Sequence, residues 1–389
     1  MVKASSFFIP MRKNVSRELV KSHRLLLRCG MVAQLGSGLF SWLPLGMRVL
    51  EKIKAIVDFH HEQIGFNRCC APILHPVELW KESGRYEAYG QEMMRFKDRH
   101  NAELILGPTA EEVFVDMVKQ NVSSTKVFPI NLYNIQWKFR DEIRPRFGIM
   151  RCREFLMCDG YSFHLSEGEM LDFYELALRG YTNMFREMGF TPIPLKQEDT
   201  GPIGGKLSHE FFALSETGEN EIEFDQTILE YSKEKSGKII SGRGIELGHI
   251  FALSTKYSQS MRLKVGEAHP YMGCYGVGVS RLVGAALEVF GVESETVARM
   301  DWPTSIAPFK VYVCGSNQAL CEKIHAIWPQ ETYWDDRHLS FGEHNAIANM
   351  IGAPIKIFVG DKKLGLDSIQ LNGIKSELSE VVTKINSMR

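Results

Sequence analysis

The chain has 389 residues, of which 44% are hydrophobic and 24% charged, so it can bury a core and is neither disordered nor fibrous. At roughly 150 residues per domain this length predicts two or three domains, and no apolar run reaches the roughly 18 residues of a membrane span. The 46 basic and 47 acidic side chains nearly balance, so any nucleic-acid site must be a local patch rather than a basic coat.

The first elements predicted are helices and short strands. Apolar residues recur at every third or fourth position over residues 45–57, which predicts an amphipathic helix that ends at Gly65. Residues 66–74 are expected to form an edge strand, because a proline lies inside them. Residues 103–106 predict another short strand, and Thr109 is expected to cap the helix that follows it.

A long hairpin is predicted next. Residues 129–140 and 155–163 alternate apolar and polar side chains, and the charged segment between them contains proline and glycine, as loops do. Lys138 to Glu154 include six basic and three acidic side chains. Guanidinium groups bind phosphate oxygens bidentately, so this cluster suits a polyphosphate. The alternative interpretation is a solvated, salt-bridged hairpin tip.

Beyond the hairpin, residues 167–190 predict a helix, and residues 215–244 form a polar stretch with strand-like pieces around Ile222 and Ile239. The glycine-rich residues 273–282 open a second helix, but they lack the third glycine of a dinucleotide-binding fingerprint because Arg281 takes its place. After residue 310, strands alternate with helices, which predicts a small α/β domain with a mixed sheet.

These patterns predict two domains. Residues 1–302 are expected to form an α+β catalytic domain built on an antiparallel sheet, and residues 303–389 an α/β domain. The eight cysteines form no C-x-x-C pair, which favours reduced, buried thiols over a zinc site. The N-terminus lacks the apolar core of a signal peptide, so we expect a cytosolic protein. A mitochondrial precursor is the alternative, because residues 11–28 are rich in lysine and arginine.

Together these segments resemble class II aminoacyl-tRNA synthetases, and closely the prolyl-tRNA synthetase family of the bacterial type. The long helix and Pro72 resemble the first motif of the class. The second and third motifs are matched at Phe139, Arg140, Glu142, Arg151, Phe155, Asp159, Gly276, Gly278 and Arg281. Residues 107–112 and 208–211 resemble the family's proline-specific signatures.

The resemblance implies the class II synthetase fold, followed by an anticodon-binding-like C-terminal domain. It implies a proline–tRNA ligase that converts L-proline and ATP to prolyl-adenylate and pyrophosphate, then transfers the prolyl group to the 3′ end of tRNA(Pro). The implied state is a homodimer. The implied cofactor is ATP with Mg²⁺ bridging its phosphates, without a dedicated protein metal site and without zinc. Neither a membrane nor DNA is an expected partner.

The family pattern also assigns roles at the nucleotide. Arg140 would hold the α-phosphate, while Arg151 and Arg281 would hold the β- and γ-phosphates. Glu142 would accept a hydrogen bond from the adenine amine, and Phe155 would stack on the purine ring. Carboxylate attack on phosphorus needs no strong base, since a carboxylate is already ionised at neutral pH.

Proline recognition follows from the same pattern. Thr109 and Glu111 would receive the two hydrogens of the secondary ammonium group, and Arg140 would also hold the proline carboxylate. His209 would lie beside the pocket for the ring. The alternative for His209 is a histidine hydrogen-bonded within the core.

Two segments depart from the family pattern. Many bacterial relatives carry an editing domain where this chain has only residues 212–245, so we expect alanine mischarging and dependence on a separate editing protein. In the C-terminal domain, Asp336 and Arg337 are the anticodon candidates, but Ser340 and His344 stand where basic residues are expected. Residues 306–389 have nine basic and nine acidic side chains, a poor balance for an RNA surface.

Two other functions stay open. A threonyl- or seryl-type synthetase shares the class motifs, although no zinc-binding set of the threonyl type can be assembled from this sequence. A catalytically retired paralogue that binds tRNA is the second alternative, which the altered C-terminal domain favours and the intact arginines oppose.

Overall fold

The structure, a computed structural model, describes residues 2–12, 14–197, 203–228, 237–294, 298–361 and 365–388. The helices in these ranges are α1 (Lys21–Arg28), α2 (Pro44–Gln63), α3 (Val77–Ser83), α4 (Arg85–Ala88), α5 (Glu111–Asn121), α6 (Glu167–Glu187), α7 (Lys256–Ser260), α8 (Val279–Phe290), α9 (Gln318–Ile327), α10 (Phe341–Ile351) and α11 (Leu378–Asn386). None of the helices in the described ranges is long and apolar enough to cross a membrane.

The strands, in chain order, are β1 (Val32–Gly36), β2 (Leu39–Trp42), β3 (Asn67–Arg68), β4 (Leu74–Pro76), β5 (Arg95–Lys97), β6 (Glu103–Leu106), β7 (Ile130–Phe139), β8 (Glu154–His164), β9 (Ile193–Gln197), β10 (Leu207–Leu214), β11 (Asn220–Asp225), β12 (Ile239–Ser254), β13 (Tyr271–Val277), β14 (Gly291–Glu293), β15 (Ala298–Met300), β16 (Val311–Gly315), β17 (Thr332–Asp335), β18 (Ile355–Asp361), β19 (Gly365–Leu371) and β20 (Ile374–Ser376).

The chain divides into two compact units. One unit contains residues 34–40 and 53–285, and the other contains residues 1–33, 41–52 and 286–389. Residues 286–302 therefore group with the C-terminal residues. The domain boundary expected between residues 302 and 303 stays a prediction.

The unit of residues 34–40 and 53–285 is built on a largely antiparallel sheet. Its strand order is β3-β7-β8-β13-β12-β10-β9, and β11 pairs with β12. Only the short edge strand β3 runs parallel to its neighbour β7. A core cluster that includes Phe114, Tyr161, Phe163 and Tyr257 packs α5 and α7 against strands of this sheet. This α+β architecture agrees with the predicted fold class.

The C-terminal residues form a mixed five-stranded sheet with the order β17-β16-β18-β19-β20. Strand β16 is parallel to both β17 and β18, whereas β18, β19 and β20 pair antiparallel. Buried residues of α9 and α11, including Ile324 and Ile385, cover the sheet. The mixed α/β sheet was predicted from the alternation of strands and helices.

Most predicted elements are confirmed with shifts of a few residues. The amphipathic helix is α2, the long hairpin is β7–β8 with antiparallel pairing, and the helix after it is α6. The edge strand is confirmed in part, since only Asn67 and Arg68 join the large sheet. The strand-like pieces expected around Ile222 and Ile239 are confirmed, because β11 pairs with the part of β12 that begins at Ile239. Residues 229–236 lie outside the described residues.

Candidate active site

A cavity of about 380 Å³ lies on the central strands of the large sheet. Strands β7, β8, β13 and β12 are neighbours there, so the end of the hairpin meets the glycine-rich strand and the start of α8. The cavity is lined by seven of the residues predicted from the motifs: Thr109, Glu111, Arg140, Glu142, Arg151, Phe155 and Arg281. The fold therefore brings the predicted nucleotide and amino-acid groups into one place.

One end of the cavity presents the buried carboxylate of Glu111. Thr109 Oγ1 donates a hydrogen bond of 2.6 Å to Glu111 Oε2 and lies 3.2 Å from the hydroxyl of Tyr161. The prediction that Thr109 caps the helix is wrong: the cap residue of α5 is Ala110, whose side chain makes no capping hydrogen bond and whose backbone N–H donates to the Tyr161 hydroxyl at 3.0 Å. The threonine hydroxyl instead donates its hydrogen to the carboxylate of Glu111.

A second buried carboxylate, Asp159, lies at the same end. Lys138 Nζ is 3.1 Å from its Oδ2, and Asn134 Nδ2 donates to its Oδ1 at 2.7 Å. The hydroxyl of Tyr161 also donates to Asp159, at 3.0 Å. Burial raises the pKa of Asp159 above its ordinary value, and the Lys138 charge offsets only part of this rise. Asp159 is therefore connected through the Tyr161 hydroxyl to Thr109 and Glu111.

Arg140 follows β7 and carries the central positive charge of the cavity. Its guanidinium carbon lies 5.2 Å from the centroid of the Phe155 ring, and Nη2 donates to the Pro108 carbonyl at 3.3 Å. Its Nε is buried and has no hydrogen-bond partner among the described residues. No described carboxylate forms an ion pair with it, so this guanidinium is available to an anionic ligand.

Arg151, by contrast, is held by two carboxylates. Its Nε lies 2.8 Å from Glu142 Oε2, and its Nη1 lies 3.2 Å from Glu219 Oε2. Burial acts to raise the pKa of Glu142, but the hydrogen bonds from Arg151 and from the Arg144 backbone, together with the Arg151 charge, outweigh it, and the pKa lies below its ordinary value. Glu142 is thus ionised at neutral pH and can accept a hydrogen bond. Glu219 was not singled out in the sequence, since it lies in the polar stretch.

Arg281 in the first turn of α8 is paired as well. Its Nη1 forms a hydrogen-bonded ion pair with Glu246 on β12, and its Nε donates to the Met150 carbonyl at 3.1 Å. Burial acts to raise the pKa of Glu246, but the Arg281 charge and hydrogen bond, together with His249 and Arg140, outweigh it, so the pKa lies below its ordinary value and the carboxyl stays ionised. Both arginines expected at the outer phosphates are therefore neutralised by carboxylates.

A cluster with metal-binding geometry lies beside this pair. Glu210 on β10 and Glu246 and His249 on β12 each have a ligand atom within 4.8 Å of the others. His249 Nδ1 is 3.4 Å from Glu210 Oε1, and its buried Nε2 has no hydrogen-bond partner among the described residues. The two carboxylates suit a hard divalent cation such as Mg²⁺. The family pattern predicts no dedicated protein ligands for this ion.

A β-bulge explains why the sequence pattern concealed this cluster. Phe211 of β10 pairs with Gly248 and Phe212 pairs with Glu246, so Leu247 is an extra residue in β12. In a regular strand, residues three apart point to opposite faces. The bulge shifts the alternation by one residue and brings Glu246 and His249 to the same face.

His209 is not among the residues that line the cavity. Its Nδ1 lies 2.7 Å from the hydroxyl of Tyr174 on α6, and burial lowers the pKa of its imidazole. The imidazole is thus hydrogen-bonded but only half-buried, so the core role also stays a prediction. Its contact with proline stays a prediction.

The anticodon candidates belong to the unit that contains the C-terminal residues. Arg337 makes two hydrogen bonds, of 2.7 and 2.8 Å, to the buried carboxylate of Asp335. Asp336 accepts hydrogen bonds from the backbone N–H and the hydroxyl of Ser5, at 2.9 and 2.6 Å. His344 Nδ1 lies 3.4 Å from Asp335, so it belongs to the same internal network. Their anticodon role stays a prediction.

Comparison with known proteins places the chain in one family. Residues 94–290, which include the seven predicted cavity residues, match the family described as tRNA synthetase class II core domain (G, H, P, S and T). The chain is 40% identical over 399 residues to the proline–tRNA ligase of Anaplasma phagocytophilum, covering 92% of each chain. It is 38% identical over 432 residues to that of Gluconobacter oxydans, covering 97% of this chain and 98% of that protein.

Solved structures give the same fold. The prolyl-tRNA synthetase of Cryptosporidium parvum, complexed with halofuginone and AMPPNP, matches with a TM-score of 0.76 at 14% identity. The match covers 94% of this chain and 74% of that chain. The same protein complexed with L-proline and AMP matches with a TM-score of 0.74.

Proposed function

This chain belongs to the proline–tRNA ligases, a family of class II aminoacyl-tRNA synthetases, and from that premise we propose how its cavity performs the reaction. The enzyme activates L-proline with ATP and transfers the prolyl group to tRNA(Pro). One observation carries the assignment of the site: a single cavity is lined by the buried carboxylate of Glu111 and by the three arginines Arg140, Arg151 and Arg281. That charge distribution suits an amino acid aligned against a nucleoside triphosphate.

Arg140 is the group that we assign to the reacting atoms. It lies between the Thr109–Glu111 pair and the paired arginines, and no described carboxylate neutralises it. There it would bind both the proline carboxylate and the α-phosphate, so the nucleophile and phosphorus are held together. The carboxylate oxygen attacks phosphorus and pyrophosphate leaves. Catalysis then consists mainly of positioning and charge neutralisation.

Glu142, Arg151, Arg281 and Phe155 would bind the remainder of ATP. The β- and γ-phosphates would replace the carboxylates of Glu219 and Glu246 as partners of the two arginines. Glu142 would accept a hydrogen bond from the adenine amine. Phe155, whose ring now faces Arg140, would stack on the purine ring. Each of the two arginines would thus have an anionic partner both before and after ATP binds.

Glu210, Glu246 and His249 would hold a Mg²⁺ ion next to the phosphates. The ion supplies positive charge that offsets the charge on the leaving pyrophosphate. We expect Glu210→Gln to raise the Mg²⁺ concentration needed for half-maximal activation several-fold, because one of two carboxylate ligands is lost. An unchanged Mg²⁺ requirement would contradict this site.

The class arrangement and the free thiols support two further proposals. We assign a homodimer, so light scattering should give twice the 44.3 kDa of one chain, and a single-chain mass would refute it.

We assign a cytosolic location, which suits eight free cysteines. A fusion that accumulates in another compartment would refute the second assignment.

Proline-dependent exchange of labelled pyrophosphate into ATP tests the proposed function directly. Proline should support exchange far above threonine and cysteine. Arg140→Ala should lower the rate by about 10²–10³-fold, because it removes charge stabilisation at the reacting atoms. The matched control is Arg144→Ala on the same loop, an exposed arginine outside the cavity, which should leave the rate unchanged. Full activity in Arg140→Ala would refute the assignment.

A further inference from the structure

A buried arginine, Arg85, contacts both acidic residues at the start of α5. Its Nη1 lies 2.9 Å from Glu111 Oε2 and 3.2 Å from both carboxylate oxygens of Glu112. The exposed fractions of the three side chains are only 3%, 0% and 0%. Of the three, only Glu111 lines the cavity. Arg85 therefore reaches the proposed proline site through Glu111.

The rest of this guanidinium faces aromatic rings. Its central carbon lies 4.9, 5.4 and 5.5 Å from the ring centroids of Trp80, Tyr89 and Tyr257. Its Nε and Nη2 are buried and have no hydrogen-bond partner among the described residues. Aromatic faces attract a cation but do not direct its N–H groups. The orientation of Arg85 is therefore set by Nη1 and the two carboxylates.

The cluster distributes charge unequally between the two glutamates. Burial raises the pKa of Glu112 more than the Arg85 charge lowers it. Burial also acts on Glu111, but the Arg85 charge and the Thr109 hydroxyl more than offset it, and its pKa lies below the ordinary value. Ser83 Oγ meanwhile donates to Glu112 at 2.7 Å. Negative charge is thus concentrated on the carboxylate that faces the cavity.

We propose that Arg85 is a positioning residue for amino-acid binding, which keeps the Glu111 carboxylate charged and aimed at the secondary ammonium group of proline. The inference rests on the proposed function, because it takes Glu111 as the acceptor for that ammonium group. The ammonium group does not react during activation, so its contact is equally strong before and during the reaction. Losing the contact weakens proline binding and leaves turnover nearly unchanged.

Pyrophosphate exchange by the full chain at varied proline concentration tests this role. Arg85→Met should raise the KM for proline about 10–100-fold, the size of one charge-assisted hydrogen bond, while kcat and the KM for ATP stay within about twofold. Arg85→Lys keeps the charge and should give a smaller rise. The matched control is Arg95→Met, an exposed arginine 4.0 Å from the Tyr86 ring, which should leave the proline KM unchanged.

A substrate analogue separates positioning from general structural damage. Tetrahydrofuran-2-carboxylate carries a ring oxygen where proline has its ammonium group, so its inhibition constant should stay constant or fall in Arg85→Met. Equal weakening of proline and analogue, or an unchanged proline KM, would overturn the proposal. If thermal unfolding shows that Arg85→Met does not fold, the proline KM and the inhibition constant of the analogue are measured on Arg85→Lys, and these two values test the proposal. A wild-type chain without exchange would instead reject the proposed function.

Discussion

Glu142 and Glu219 both contact Arg151, at 2.8 and 3.2 Å, yet the proposed reaction gives them different roles. Glu142 keeps a function when ATP is bound, as acceptor for the adenine amine. Glu219 serves only as a counter-ion that the phosphates replace. Sequence motifs identify the first of these residues. The second became visible only when the fold placed it beside the arginine.

Two substitutions distinguish a ligand from a counter-ion. Glu142→Gln should raise the KM for ATP about tenfold, because a charged acceptor is lost. Glu219→Gln should leave it unchanged or lower it by up to about threefold, since a partly exposed ion pair contributes at most about 1 kcal/mol. Both values come from pyrophosphate exchange at varied ATP. A tenfold rise in Glu219→Gln would make Glu219 a ligand as well.

His61 connects three elements at the buried side of the large sheet. Its Nδ1 lies 2.8 Å from the Val57 carbonyl in α2, and its Nε2 lies 3.0 Å from the Tyr181 hydroxyl in α6. The Cys158 thiol of β8 is 3.5 Å from the same nitrogen. Burial holds the pKa of this imidazole at about 4, against 6.5 ordinarily. The neutral ring is therefore part of the packing between these elements.

This contact makes stability depend on pH. Above pH 6.5 the imidazole is neutral in the folded and unfolded chains, and its stabilising contribution is complete. Between pH 6.5 and about 4 only the unfolded chain takes up the proton, so unfolding becomes easier as pH falls. At pH 5 the lost free energy of unfolding should be roughly 2 kcal/mol.

Denaturant unfolding at pH 7.5 and pH 5 measures this loss in the free energy of unfolding. His61→Phe should be less stable than the natural chain at pH 7.5, since it leaves the Tyr181 hydroxyl without its partner, but it should lose about 2 kcal/mol less on acidification. His75 and His164 also have pKa values of about 4, so their contributions remain in the variant. An equal loss in both proteins would show that His61 does not titrate in this range.

At the scale of the whole molecule, the short segment between the second and third motifs bears on fidelity. By the family pattern, we expect many bacterial relatives to carry an inserted editing domain where this chain has residues 212–245, of which β11 and the start of β12 form part. A pocket built for proline excludes the smaller alanine by only roughly 1–3 kcal/mol. We therefore propose that fidelity depends on a separate editing protein.

Alanine tests this proposal in two ways. Alanine should support pyrophosphate exchange with a kcat/KM about 10–200-fold below that of proline. Preformed alanyl-tRNA(Pro) should remain intact with the enzyme, at the rate of hydrolysis in buffer alone. Faster hydrolysis with the enzyme present would show that it edits its own product.

The sequence by itself determined most of the elements and seven functional residues of the cavity lining. Helix α2 and the hairpin β7–β8 follow from local periodicity, which requires no knowledge of distant contacts. The motif arginines lie at element ends, so their sequence positions already predict that they meet when the sheet forms. For the helix and the hairpin, the interactions that matter lie close together along the chain, whereas the arginines were assigned to one site by the family resemblance.

Only the tertiary structure decided which residues surround those arginines. The bulge at Leu247 reverses the strand alternation, so no periodic pattern could place Glu246 and His249 on one face. Arg85 reaches Glu111 across 26 positions of sequence, and Tyr174 reaches His209 across 35. Such pairs depend on how helices and strands pack, because the charge balance of a buried site is set by neighbours in space.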